Sequence, residues 1–229
     1  MKENKYDDPA FFELYSRMNR SINGLEGAGE WHALRTILPD FKEKRVLDLG
    51  CGFGWHCQYA AEHGAKYVIG IDISEKMLEG ARKRNHYENV RYIQISVEDY
   101  EYLPDSFDVV LSSLTFHYLA SFDDICRKVS GCLSPGGEFI FSVEHPVFTA
   151  KGNQDWYYNE KGERLHWPVD NYFIEGQRKA IFLGEEVTKY HRTLTTYLKD
   201  LKNNGFIMQT LIEPEPAGIL LDQIPEMRE

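Results

Sequence analysis

The hydrophobic positions of this chain follow two alternating spacings between residues 41 and 144. Short apolar runs typical of buried strands alternate with segments in which apolar residues recur every three or four positions, as in helices. The runs are RVLDL (45–49), KYVIGID (66–72), NVRYIQI (89–95), FDVVLSS (107–113) and EFIFSVE (138–144), and the helical segments are residues 55–63, 74–84 and 122–133. The alternation predicts an α/β fold with a doubly wound, Rossmann-like, mostly parallel sheet and helices on both of its faces.

The remaining segments do not follow this alternation. A helical stripe ends at Gly205, and FIMQTLIEP (206–214) predicts a sixth strand. We expect a single domain over residues 1–229, because this length is within the usual range for one domain. Its predicted parts are an N-terminal helical lid (1–40), a core (41–144), a substrate cap inserted after the fifth strand (145–192) and a C-terminal helix and strand (193–229).

Composition narrows the classes of partner. The formal net charge is −10, which argues against a broad phosphate-binding face and disfavours nucleic acid. The first residues have no leader pattern and no apolar run reaches membrane-spanning length, so we expect a cytoplasmic protein that binds no membrane. The four cysteines form no C-x-x-C pair and no zinc-type cluster, and we expect them to be reduced, with no metal bound.

The stretch VLDLGCGFGWHC (46–57) places three glycines directly after the first strand. Gly50, Gly52 and Gly54 would form the turn into the next helix, where ligands bind in doubly wound sheets. The alternative is a tight turn that binds nothing. A nicotinamide fingerprint would need glycine at Trp55, and a phosphate-binding loop would need G-K-[ST], so both of those motifs are absent.

The pattern D-x-G-x-G-x-G, which starts at Asp48, resembles motif I of the class I S-adenosylmethionine-dependent methyltransferases. Asp72, at the end of the second strand, matches the acidic position of that family. Residues 94–113 and LSPGGEFIF (133–141) are similar to its stretch up to the fourth strand and to the turn before its fifth strand. The resemblance covers about residues 41–144 and 193–214.

The resemblance implies a methyltransferase that binds S-adenosylmethionine and releases S-adenosylhomocysteine. Asp72 would bind the two ribose hydroxyls, since a carboxylate offers two acceptors. The implied cofactor-binding residues are Arg20, Asp48, Gly50, Cys51, Gly52, Asp72, Ile73, Ser96, Val97, Glu98 and Ser113. Asp48 would receive the ammonium group directly or through water, and Ile73 would pack on the adenine ring.

Two features depart from the family pattern. Many relatives have aspartate where this chain has Ser96, so the adenine contact would come either from Ser96 and the Val97 amide or from Glu98. Glu98 and Asp99 could instead be solvated loop charges. No convincing seventh strand follows residue 214. Either the chain is truncated or AGILLDQI (217–224) has another role.

The lid contains two arginines among turn-forming residues. Arg20 begins a run, RSINGLEGAGEW (20–31), that is similar to the RS-x-x-GL-x-x-AGEW pattern of relatives. A guanidinium binds a carboxylate through two hydrogen bonds, so Arg17 or Arg20 would hold the carboxylate of the ligand. The alternative is a linker whose arginines pair with surface acids.

Histidines at strand ends are the candidates for a catalytic base. His117 and His145 follow the fourth and fifth strands, and His191 is a weaker third candidate. Each could instead serve only packing or hydrogen bonding, and positioning alone could suffice for methyl transfer.

The insertion is dense in aromatic residues without interleaved basic ones, which favours a small, partly apolar or cationic acceptor with an O- or N-nucleophile over nucleic acid. The rings could also form the insertion's own core or a dimer surface, so the sequence leaves a homodimer open. They are Trp156, Tyr157, Tyr158, Trp167, Tyr172 and Phe173. The alternatives for function are a tRNA or protein methyltransferase and a non-catalytic ligand-binding regulator.

Overall fold

A computed structural model describes residues 4–152 and 154–215, together with residues 218 and 221. Five parallel strands form the central sheet in the order β3-β2-β1-β4-β5. They are β1 (Arg45–Leu49), β2 (Tyr67–Asp72), β3 (Val90–Gln94), β4 (Phe107–Ser113) and β5 (Leu133–Ser142). The predicted doubly wound sheet is therefore confirmed, and the chain reverses its direction of winding between β1 and β4, where this class of fold binds ligands.

Helices cover both faces of the sheet, as predicted. They are α4 (Trp55–Glu62), α5 (Glu75–Arg84), α6 (Phe122–Cys132) and α8 (Leu194–Asn203). Two apolar clusters fill the space beneath them, one that includes residues of α4 and α5 and one built around α6 and α8. Ser74 caps α5 by accepting a hydrogen bond from the Met77 amide, and Thr193 caps α8 in the same way from Thr196.

The lid and the cap meet above the carboxyl ends of the strands. The lid contains α1 (Pro9–Ser16), α2 (Asn19–Ile22) and α3 (Trp31–Ile37), and the cap contains α7 (Pro146–Ala150), β6 (Tyr157–Tyr158), β7 (Arg164–His166), β8 (Gly176–Phe182) and β9 (Glu185–His191). The antiparallel β8–β9 hairpin packs on the lid through a third apolar cluster of Phe11, Ala180 and Val187. The two segments, far apart in sequence, thus form one roof.

The aromatic residues of the insertion pack mainly on one another or face solvent. Trp167 stacks on Phe148 with ring centroids 4.3 Å apart and meets the edge of Trp156 at 5.4 Å. Tyr157 stacks on His166, and Phe173 is 88% exposed. Trp156 and Trp167 therefore pack within the insertion, but Tyr157, Tyr158 and Phe173 are exposed, so the six rings do not form a buried core of their own.

The predicted sixth strand is wrong, because residues 206–215 form neither helix nor strand. Ile207 is 82% exposed, and Met208 and Leu211 are more than half exposed. In the described part of the chain β5 has no neighbour on its outer edge, so this β-prone segment does not pair with the sheet. Most of AGILLDQI (217–224) lies outside the described residues, and so does the segment in which a seventh strand would be sought.

All four cysteines are buried free thiols. Within the described residues no helix is both long and apolar enough to cross a bilayer.

Candidate active site

A cavity of about 1020 Å³ lies at the carboxyl ends of the strands, under the roof formed by lid and hairpin. Its floor is the turn after β1 and the ends of β2 and β3, and its far end is lined by residues that follow β4 and β5. This volume is at the upper limit of about 300–1,000 Å³ that is usual for a small-molecule site. It is large enough for two ligands side by side.

The three glycines of the turn differ in what surrounds them. Gly50, Gly52 and Gly54 all have positive φ, at 72°, 52° and 75°. A Cβ at Gly50 would lie 2.2 Å from the Thr115 hydroxyl oxygen, and one at Gly54 would lie 2.2 Å from the Tyr92 hydroxyl oxygen, so these two glycines permit tight packing. A Cβ at Gly52 would meet no protein atom within 4 Å, because this residue opens onto the cavity. Gly52 is therefore the glycine that a ligand can approach closely.

Asp72 is held in place by the backbone of two neighbouring turns. Its Oδ2 accepts a hydrogen bond from the Gly52 amide at 2.9 Å, and its Oδ1 accepts one from the Ser74 amide at 2.9 Å. Burial raises the pKa of this carboxyl above its ordinary value, while the two backbone hydrogen bonds oppose the shift. Each oxygen retains a lone pair, and the residue lines the cavity, so Asp72 can accept from two adjacent hydroxyls.

The loop after β3 brings Ser96, Val97 and Glu98 to the cavity wall beside Ile73. The Ser96 hydroxyl donates to Asp99 Oδ2 at 2.8 Å and accepts from the Asp99 amide at 3.2 Å. Ser96 and Asp99 thus stabilise the loop itself. Asp99 is exposed, as the solvated-charge alternative expects, and it also has a structural partner in Ser96.

Asp48 lies behind the glycine turn and does not line the cavity. It is 1% exposed, and its Oδ2 accepts a hydrogen bond from the Cys57 thiol at 3.3 Å. Burial raises the pKa of this carboxyl to about 7. The direct contact with a ligand ammonium that the sequence suggested is not available in this arrangement, because the side chain points into the protein. Cys51, in contrast, does line the cavity.

Of the two lid arginines, Arg20 lies at the cavity and Arg17 does not. Arg20 forms an ion pair with Glu30 at 2.7 Å, and Glu30 also accepts a hydrogen bond from the Ser113 hydroxyl at 3.1 Å. Arg17 pairs with Glu13 on the surface. The sequence analysis missed Glu30, although it belongs to the AGEW run that was singled out.

The first residues of the described chain fasten the roof over the cavity. Asp7 Oδ1 accepts hydrogen bonds from the Ser74 hydroxyl at 2.5 Å and from the Lys76 amide at 3.2 Å, at the positive N-terminal end of α5. The hydroxyls of Tyr6 and Tyr118 lie 3.2 Å apart. These contacts tie the lid to the sheet on two sides of the cavity.

His117 is the candidate base that the structure brings to the cavity. Its ring is 2% exposed, Nδ1 is buried without a hydrogen-bond partner, and Nε2 lies 3.8 Å from Glu144 Oε1. Burial lowers the pKa of this imidazole to about 4, so the ring is neutral at physiological pH.

His145 and His191 lie away from the cavity, so the structure does not support either as a base. His145 has the extended conformation expected before proline and caps α7, where its Nδ1 accepts from the Val147 amide while Nε2 lies 2.5 Å from Glu213. His191 is buried between the Thr149 hydroxyl and the Tyr172 carbonyl. Both correspond to the structural alternative that the sequence left open.

Glu144, directly after β5, lines the cavity and was missed by sequence reasoning. Its Oε1 accepts from Lys189 Nζ at 2.5 Å, and its Oε2 accepts from the Gln154 amide group at 2.9 Å. Both partners belong to the cap. The sequence contained no signal for this cluster, because the three residues are brought together only by the folding of the insertion over the sheet.

The cap lines the cavity with residues other than those predicted. None of its six singled-out aromatic residues contributes to the lining. The roof is formed instead by Phe148 and by hairpin residues, namely Gln177, Phe182, Val187, Thr188 and Tyr190. The insertion therefore covers the site through its hairpin, and its aromatic cluster supports it from outside.

The residues at the cofactor end fit S-adenosylmethionine. Gly52 leaves an open cradle on the backbone, and Asp72 offers two acceptors to neighbouring hydroxyls. Ser21 and Trp55 also line the cavity beside Arg20, and the Ser21 hydroxyl and the Trp55 indole N–H are buried without a protein partner.

Similarities to known proteins also point to S-adenosylmethionine as the cofactor. The family model described as a methyltransferase domain matches residues 47–141. The chain is 31% identical over 187 residues to the ubiquinone biosynthesis O-methyltransferase of Neisseria meningitidis serogroup C, covering 68% of this chain and 78% of that protein. It is 34% identical to the tRNA U34 carboxymethyltransferase of Hahella chejuensis over 118 residues, covering 50% of this chain and 36% of that protein.

The chain is 60% identical to a protein of solved structure from Listeria monocytogenes that is provisionally described as an S-adenosylmethionine-dependent methyltransferase. The two structures superpose with a TM-score of 0.85, and the match covers 90% of this chain and 92% of that one. A second methyltransferase structure, from Mesorhizobium loti, is 42% identical with a TM-score of 0.82, covering 90% of this chain and 93% of that one. Together with the cavity and its glycine turn, these similarities show that the chain belongs to the S-adenosylmethionine-dependent methyltransferases.

Proposed function

We propose that this enzyme transfers a methyl group from S-adenosylmethionine to an oxygen or nitrogen of a small molecule. The observation that carries the proposal is the roofed cavity, which continues from the glycine turn to the residues after β4 and β5. The part beyond the cofactor end is enclosed by lid and hairpin residues, many of them apolar or aromatic. A site of this kind suits a compact, largely desolvated acceptor.

The residues at the cofactor end have the following proposed roles. Asp72 binds the ribose hydroxyls, and Gly52 accommodates the methionine portion together with Gly50 and Cys51. Arg20 holds the carboxylate, and the unpartnered groups of Ser21 and Trp55 assist it. The adenine ring lies among Ile73, Ser96, Val97 and Glu98. The support for these roles is that every one of these side chains or backbones lines the same cavity.

Bound S-adenosylmethionine supplies a methyl group that is already activated for displacement, so the protein mainly has to position the acceptor and exclude water. The roof performs the exclusion, because the lid is fastened at Asp7 and the hairpin packs on Phe11. At the acceptor end, Glu144 is a carboxylate that lines the cavity and can accept a proton from the nucleophile, and the neutral ring of His117 lies 3.8 Å from it. His117 is the histidine of the predicted pair that we retain.

The similarities to named enzymes favour a small acceptor over tRNA. The match to the ubiquinone biosynthesis O-methyltransferase extends over 78% of that enzyme, whereas the match to the tRNA carboxymethyltransferase covers 36% of it. The only cations that line the cavity in the described chain are Lys5 and Arg20, which are paired with Glu185 and Glu30. A phosphate backbone would find no unpaired cation there.

The test is to incubate the protein with S-adenosylmethionine labelled in its methyl group and with either a metabolite extract or total tRNA. We expect label in the small-molecule fraction and none in tRNA, and we expect Asp72→Asn to reduce the label strongly when S-adenosylmethionine is supplied below its dissociation constant. Label in tRNA or in protein would contradict the proposal. Binding of S-adenosylhomocysteine without any transfer would favour the regulator alternative.

A further inference from the structure

A cluster of polar side chains lies at the acceptor end of the cavity, and three separate parts of the fold contribute to it. Glu144 follows β5, His117 follows β4, and Lys189 and Gln154 come from the cap. Lys189 Nζ lies 2.5 Å from Glu144 Oε1 and 2.8 Å from Gln154 Oε1. The cluster is therefore complete only while the cap covers the sheet.

Lys189 is the most deeply buried charge of the cluster. Its side chain is 4% exposed, and its ammonium group lies 5.9 Å from the ring centre of Tyr118 and 5.5 Å from that of Phe182. A buried ammonium group needs a charged partner, so Glu144 stays ionised beside it. Because Glu144 is 25% exposed and lines the cavity, its carboxylate also faces the ligand space.

The surroundings of His117 determine which ring nitrogen carries the hydrogen. Glu144 faces Nε2 at 3.8 Å, while Nδ1 is buried without a partner. A buried N–H without an acceptor is costly, so the tautomer with hydrogen on Nε2, directed towards the carboxylate, is favoured. The other charged groups that act on the ring are Lys189, Arg192 and Arg20. His117 is then a neutral donor next to Glu144.

We propose that Glu144 binds the nucleophilic group of the acceptor by accepting a hydrogen bond from it. Lys189 and Gln154 are positioning residues for this carboxylate, and the acceptor is a small uncharged molecule with an O–H or N–H. This inference rests on the proposed function. A cationic acceptor would meet Lys189, which already occupies the faces of Tyr118 and Phe182. An anionic acceptor would be repelled by Glu144.

The test measures binding of three small probes to the protein saturated with S-adenosylhomocysteine. Phenol is uncharged and has an O–H, anisole replaces that hydrogen by a methyl group, and benzylamine is a cation at neutral pH. We expect phenol to bind at least about 10-fold more tightly than either of the others, since a hydrogen bond to a charged group is worth about 1.5–3 kcal/mol. Glu144→Gln should reduce the preference for phenol over anisole to less than about 2-fold.

Two further variants separate recognition from misfolding. Glu144→Gln leaves Lys189 buried without its charged partner, so the double variant Glu144→Gln/Lys189→Met, which removes both charges, should fold and also lack the preference. Glu186→Gln, which removes the exposed partner of Lys179 on the same hairpin, should keep it. Equal binding of phenol and anisole to the unmodified protein, tighter binding of benzylamine, or no binding of any probe would overturn the proposal.

A second measurement is independent of any probe. In protein with ¹⁵N-labelled histidine, nuclear magnetic resonance should show His117 with its hydrogen on Nε2, and Lys189→Met should raise the pH at which this ring titrates. Hydrogen on Nδ1 would contradict the arrangement. Failure of the proposed function would appear separately, as absence of labelled product in the transfer assay with S-adenosylmethionine, whether or not S-adenosylhomocysteine binds.

Discussion

Replacing Gly52 by alanine should weaken binding of the cofactor in addition to a modest loss of fold stability. The backbone at Gly52 has φ 52°, a left-handed conformation that costs a residue with a Cβ about 1–2 kcal/mol. No protein atom lies within 4 Å of the added Cβ, so the fold suffers only this backbone cost. For a domain of this size 1 kcal/mol corresponds to roughly 2–4 °C, so the melting temperature should fall by about 2–8 °C.

The same Cβ would project into the space that we assign to the methionine portion of the ligand. Overfilling a packed site typically costs about 1–3 kcal/mol. This corresponds to an affinity for S-adenosylhomocysteine that is about 5- to 150-fold weaker. Isothermal titration calorimetry measures this affinity, and calorimetric melting without ligand measures the stability.

Two matched glycine variants provide the controls. Gly136 also has a positive φ, 77°, and an open Cβ position, but it lies in the turn before the paired part of β5, away from the cavity. Gly136→Ala should lower the melting temperature by a similar amount without changing the affinity. Gly50→Ala should destabilise the fold more strongly, because its Cβ would collide with Thr115. Unchanged affinity in a folded Gly52→Ala protein would refute the reasoning.

Other predictions concern buried charges and the lid. The stability of Asp48→Asn relative to the unmodified protein should increase as pH rises from about 4 to about 7 and then stay constant. The pKa of Asp48 is 3.8 ordinarily and about 7 when buried, so over that pH range the folded unmodified protein keeps a proton that the unfolded chain has lost. A constant difference in melting temperature would contradict this. Lys189→Met should lower the free energy of unfolding by about 2 kcal/mol. This is less than the 3–5 kcal/mol for breaking a fully buried pair, because Glu144 is partly solvated, and adding Glu144→Gln in the double variant should recover most of the loss. Additive shifts in melting temperature would argue against the pair. Asp7→Asn should accelerate release of S-adenosylhomocysteine about 2- to 5-fold, since a charge at a helix N-terminus is worth about 0.3–1 kcal/mol; an unchanged rate in stopped-flow measurements would argue against the role of the lid.

The parts of the fold that depend on local pattern were predictable. Each strand of the sheet is a short apolar run, and the helix cap at Ser74 follows from residues adjacent in sequence. The proximity of Asp72 and Gly52 could also be predicted. Neighbouring parallel strands end on the same side of the sheet, which brings the residues at their carboxyl ends together.

The failures involve long-range packing. FIMQTLIEP has the composition of a strand, but a strand also needs a neighbour, and sequence pattern does not supply one. For Asp48 the motif suggested a contact with the ligand ammonium, directly or through water, and only the direct contact is lost, because the side chain points towards Cys57. The pairing of Glu144 with Lys189 joins residues 45 positions apart across the cap, and neither carries a local signal.

The central claim is that the ribose of the cofactor binds to Asp72, and calorimetric titration of S-adenosylhomocysteine into the unmodified protein and Asp72→Asn tests it most directly. Asp105→Asn is the control, because Asp105 is exposed and precedes β4, at the amino ends of the strands and away from the cavity. Hydrogen bonds to a charged group are worth about 1.5–3 kcal/mol, so we expect Asp72→Asn to bind about 10- to 150-fold more weakly and Asp105→Asn to bind as the unmodified protein does. Equal affinity in all three proteins, with Asp72→Asn fully folded, would contradict the account.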